Sequence, residues 1–91
     1  MNTQLEKEIF IAKFYHYKYL YHYSSLGLDE YWRTTEVARV SFKLNELVIQ
    51  LKNNKHIGIY DIINTSIYSN GNGLTLKITF PMGVCIYQLR D

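Results

Sequence analysis

Three histidines, one cysteine and eight carboxylates are the side chains with which this 91-residue chain would have to do metal, nucleophilic or acid–base chemistry. A structural or catalytic zinc site needs three or four such ligands to converge. His16 and His22 stand six apart, about 240° around a helix, so they cannot share an ion there. On a strand they would share a face, but no third ligand lies at a suitable spacing. His56 sits beside Lys55 with no ligand close to it in the chain. Cys85 lies between Val84 and Ile86 with no basic neighbour to lower its pKa, which reads as a packed, inert thiol. Asp61, Glu36 and Glu46 are scattered acids without a visible partner for general acid–base work. Gly71-Asn72-Gly73 lacks the further glycine, preceding strand and following helix of a phosphate-binding loop, and reads as a hairpin turn. The sequence therefore predicts no metal, no cofactor and no enzyme.

Charge narrows the classes further. Ten Lys/Arg against eight Asp/Glu leave a formal charge of +2, and neither half of the chain is strongly basic. Such a balance provides no long-range field to steer a polyanion. A single cysteine excludes an intramolecular disulfide, and the start MNTQLEKEIF has no basic segment leading into an apolar one. The longest apolar run falls well short of the ~20 residues of a membrane span. These features predict a cytoplasmic protein that does not enter the membrane. Tyrosine is the anomaly, at nine residues.

The elements that must position these residues fall into two parts. Thr3-Gln4-Leu5-Glu6 fits a capping box, and no Gly or Pro follows until Gly27. Gly27 suits the left-handed position after a helix, with Leu28 packing back on Tyr23. Start and stop together predict one helix over about residues 3–26, roughly 30 Å long. Against this, Tyr15, Tyr17, Tyr19, Tyr21 and Tyr23 alternate, and period two with tyrosine is a strand signal. The strand reading is set aside because no breaker stands near Lys13 and its other face would be the mixed set His16, Lys18, Leu20 and His22. The remainder reads as an antiparallel meander of five to six strands, Thr35 to Lys43, Leu47 to Lys52, His56 to Asp61, Ile63 to Ser69, Leu74 to Phe80 and Val84 to Leu89, joined by Asn/Gly/Pro turns. Inward rows are expected at Ala38, Val40, Phe42 and Leu44, at Leu47, Ile49 and Leu51, and at Leu74, Leu76, Ile78 and Phe80. The expected fold is α+β, one domain over residues 1–91, with a long N-terminal helix on a curled antiparallel sheet.

On a helix, Leu5, Ile9, Ala12, His16, Tyr19, Leu20 and Tyr23 form one stripe, and Phe10, Phe14, Tyr17 and Tyr21 form a second roughly 140° away. One stripe suffices to dock on a sheet, so the second meets either the far wall of a strongly curled sheet, which would make both stripes core, or another molecule, a partner protein or a second copy of the chain; the second reading is the one carried forward. Tyr31, Trp32 and Arg33 have the composition of an interface hot spot and complete the predicted partner-binding set. The function expected on these grounds is a small non-enzymatic protein–protein interaction module, homodimeric so that self-association covers the surplus aromatic surface. A phage- or mobile-element-encoded inhibitor of a bacterial defence complex would suit the size and composition. The alternative is nucleic-acid binding through a wet sheet face carrying Arg39, Lys43, Lys52 and Lys77.

Overall fold

A strand in the N-terminal third competes with a helix that nothing in the sequence interrupts, and the strand wins. The computed structural model describes residues 3–25, 27, 29–71 and 73–91. Helix α1 spans only Thr3–Lys13. A 3-10 turn follows at Phe14–His16, the backbone is extended at Tyr17 (φ −113°, ψ 160°), and β1 runs over Tyr19–Ser24. The expected helix over 3–26 is thus corrected to 11 residues. Gly27 does take a left-handed φ of +86°, but in the connection after β1 and not as a helix stop. The expected contact of Leu28 lies outside the described residues.

Six further strands fall where alternation and turn residues place them: β3 (Val37–Lys43), β4 (Glu46–Leu51), β5 (His56–Ile59), β6 (Asn64–Asn70), β7 (Gly73–Phe80) and β8 (Gly83–Arg90). With β1 and β2 (Glu30–Arg33) the described residues form eight strands, more than the expected five to six. They make two antiparallel sheets, ordered β2-β1-β8-β7-β6 and β3-β4-β5. The fold class is α+β, but with one short helix and two sheets that do not close into a barrel. The reason for the helix error is visible in the pairing. β1 bonds to β8 along Tyr19–Ser24 and to β2 along Tyr19–His22, so both edges of its backbone are satisfied. Tyrosine is a mediocre helix former and a good strand former, and tertiary pairing decides between the two.

Between the sheets lies the core. Leu20, Leu74, Leu76, Ile78, Cys85, Tyr87 and Leu89 come from the five-stranded sheet, and Val37, Leu47, Ile49, Leu51 and Ile59 from the other. The rows expected on β4 and β7 point inward, with Phe80 partly buried. The row expected on β3 is corrected. A register shift between Val37 and Arg39 turns Ala38 out, and Leu44, in the two-residue turn between Lys43 and Glu46, is 84% exposed. Only Val40 and Phe42 of that row pack against the core.

Helix α1 caps the open side of this arrangement, bridging β6 and the β3–β4 hairpin. The Thr65 hydroxyl donates to the buried Glu6 carboxylate at 2.9 Å. Lys7 Nζ donates to the carbonyls of Lys43 (3.0 Å) and Leu44 (2.6 Å) and lies 5.1 Å from the centre of the Phe42 ring. Phe10 and Phe14 then enter the core, their rings edge-to-face at 5.7 Å, and Phe10 also meets Phe42 and Tyr87 at 6.5 Å each. No helix of the described residues is long and apolar enough to cross a membrane.

Candidate binding face

Because β1 is a strand, its tyrosines separate from its core residues by simple alternation. Leu20 and His22 point between the sheets, while Tyr19, Tyr21 and Tyr23 point to the outer face of the five-stranded sheet. The register extends that face residue by residue. Tyr19 stands between Arg33 of β2 and Arg90 of β8, and Tyr21 between Tyr31 and Gln88, while Tyr23 is opposite Ile86. Beyond β8 the outward positions are Thr75, Lys77 and Thr79 on β7, then Asn64, Ser66 and Tyr68 on β6. No outward position of these five strands bears a carboxylate among the described residues. Five tyrosines and three cations share one surface.

The rings organise one another. Tyr21 and Tyr23 are parallel within 7° at 6.3 Å, Tyr21 and Tyr31 within 23° at 5.5 Å, and Tyr19 lies 6.5 Å from Tyr21. The Arg90 guanidinium sits 4.7 Å from the centre of the Tyr21 ring, a cation–π distance, and donates to the Gln88 side-chain oxygen. Tyr21 is thus the hub of the cluster, half-buried by neighbours that are themselves on the surface. Tyr31 remains 64% exposed and Tyr68 49%. Strand spacing and rise make the sheet roughly 20 Å by 25 Å, enough to form the centre of a modest protein interface.

The partner-binding residues expected from the sequence divide. Tyr21, Tyr31 and Arg33 meet on this face. Phe10 and Phe14 are 0% exposed, so the supposed second stripe of the helix is core and offers no surface. Tyr17 is half-buried against the core, and its carbonyl accepts from Thr34 Oγ1 at 2.6 Å. Trp32 turns inward beside Leu20, its ring 6.3 Å from that of His22. Of the cations in the nucleic-acid alternative, only Lys77 is on the tyrosine face. Arg39 and Lys43 lie on the three-stranded sheet and Lys52 in the turn after β4, so the four do not form one surface. Tyr19, Tyr23 and Arg90 were missed. The signal for the first two was the tyrosine alternation itself, read as a strand.

A cleft of about 470 Å³ opens elsewhere, between β5 and the inner side of β1 and β8, with Ile57, Ile59, Phe80 and Cys85 among its walls. His22 and Asp61 also line it. Burial pushes the Cys85 thiol up to about 12. Burial likewise lowers the His22 pKa, against the opposing pull of Glu30 and Asp29. No group of three or more His, Cys, Asp or Glu that would hold a metal occurs among the described residues. Compared with models of protein families, with curated proteins and with solved structures, the chain shows no match.

Proposed function

We propose that this protein is a non-enzymatic protein-interaction module whose binding surface is the outer face of the five-stranded sheet. The observation that carries the reading is the outward cluster of half-buried Tyr19, Tyr21 and Tyr23 with exposed Tyr31, flanked by Arg33 and Arg90. Tyr and Arg are the residue types over-represented among interface hot spots: a tyrosine ring covers a large apolar area at little entropic cost while its hydroxyl tolerates water. A sheet presents those rings on an ordered backbone, with β1 paired on both edges and β2 on one, so little ordering remains to be done on binding. The fold adds no support to the narrower expectation of a phage-encoded inhibitor.

Tyr21→Ala combined with Tyr31→Ala tests the proposal. Hot-spot truncations cost ~2 kcal/mol or more each, so the double variant is expected to lose at least ~30-fold in affinity while keeping its fold. The assay is quantitative co-purification of partner proteins from the source cells, with Gln50→Ala on the outer side of β4 as a control. Equal recovery by the double variant and by the wild type would defeat the proposal.

A further inference from the structure

We infer that the occupant of the tyrosine face is an acidic peptide segment of a partner protein, an inference that rests on the binding reading above and adds the chemistry of what is bound. Arg33 and Arg90 stand on either side of Tyr19 in one cross-strand row, and Lys77 lies on the same face two strands from β1. Neighbouring strands are about 4.8 Å apart, so the two guanidiniums bracket Tyr19 within reach of carboxylates on a single segment.

The cationic end of the face does not stop at the sheet. It continues into a recess of about 540 Å³ where the chain turns from the 3-10 segment into β1, with His16, Lys18, Tyr19 and Arg33 in its walls. Asp91 also faces this recess, beside Lys18, Arg33 and His16. An acidic segment would lay apolar or aromatic side chains over Tyr21, Tyr23 and Tyr31 and carry its carboxylates to Arg33, Arg90 and Lys18. Arginine suits this role because its planar fork binds a carboxylate through two parallel hydrogen bonds.

Charge also decides against the two other occupants. In a two-fold dimer built on this face each copy would present the same three cations, with no outward carboxylate to receive them. A nucleic-acid strand needs a cationic track along its whole length. Here Gln88, Thr75 and Ile86 stand between Lys77 and the Arg33–Arg90 pair, and the chain as a whole carries only +2.

The test uses the full chain and a display library of random dodecapeptides, with an oligo(dT) strand as a second probe. Selected peptides are expected to be enriched in Asp and Glu around one or two aromatic or aliphatic residues. Arg33→Glu with Arg90→Glu is expected to weaken them by roughly tenfold or more, and raised salt to weaken them as well. Neutral or basic selected peptides, or peptides indifferent to charge reversal, would overturn the acidic occupant. The binding-face reading would survive that result only if Tyr21→Ala still abolished their binding. An empty selection, a concentration-dependent dimer broken by Tyr31→Glu, or oligo(dT) bound more tightly than any peptide would overturn the inference too. All these variants are on the surface, and unchanged thermal unfolding would verify that each is folded.

Discussion

Replacing Phe10 and Tyr21 by alanine, each alone, separates core from surface most sharply, because the two were expected to share one helical stripe and the structure puts them on opposite sides of a sheet. Phe10 is 0% exposed and its ring meets those of Phe14, Phe42 and Tyr87 at 5.7, 6.5 and 6.5 Å. Truncating an enclosed phenylalanine costs about 3–5 kcal/mol, made up of lost transfer energy and the cavity left behind. A 91-residue domain has a total stability of roughly 5–14 kcal/mol at the usual value per residue. Phe10→Ala is therefore expected to remove about a fifth or more of the stability and to lower Tm by at least ~12 °C. Tyr21→Ala removes cross-strand ring contacts and the Arg90 contact on a half-exposed surface, together worth about 1 kcal/mol. Urea unfolding followed by circular dichroism measures both. A Phe10→Ala loss below ~1 kcal/mol would refute the placement of α1, and a Tyr21→Ala loss as large as that of Phe10→Ala would mean that the tyrosine face is covered.

Three other outcomes follow from buried groups. The Tyr87 hydroxyl is buried with no partner of ordinary hydrogen-bond geometry among the described residues, the Cys85 thiol interacting with it only weakly, so Tyr87→Phe is expected to be neutral or to raise stability by up to about 1 kcal/mol in urea unfolding, and a clear loss would show that the hydroxyl is satisfied. The Cys85 thiol, held at about 12 and 1% exposed, is expected to resist a thiol reagent at neutral pH until the chain unfolds; rapid labelling of the native protein would contradict its burial. His22 has a folded pKa below its ordinary 6.5, so between those two values the unfolded state binds more protons. Its contribution is complete above 6.5 and is lost as pH falls towards the folded value. Unfolding at a series of pH values should show wild type losing more stability on acidification than His22→Gln, and a difference of the opposite sign would refute the assignment.

How much of this was legible beforehand varied by element. On β4 and β7, alternation and flanking turn residues were enough to place the inward rows, although Thr75 on the outer side of β7 is itself covered by its neighbours. On β3 the same rule failed at Ala38 and Leu44: a register shift and a tight turn change which way a side chain points without altering the pattern of residue types. The N-terminal third failed for a deeper reason. Residues 14–23 contain no helix breaker, and what makes Tyr19–Ser24 a strand is its pairing with β8, more than sixty residues later. Local sequence does not record that partner. The surface was consequently half-read: Tyr21, Tyr31 and Arg33 belong to it, whereas Phe10 and Phe14, assigned to it by helical geometry, hold the core together.

The outer face of β1, β2 and β8 is where we propose that a partner protein sits. A photo-crosslinking amino acid placed at position 31, and separately at position 50 on the opposite sheet, would test this in the source cells by asking which position captures protein. Adducts from position 31 and none from position 50 are expected. Capture from position 50 alone would contradict the account.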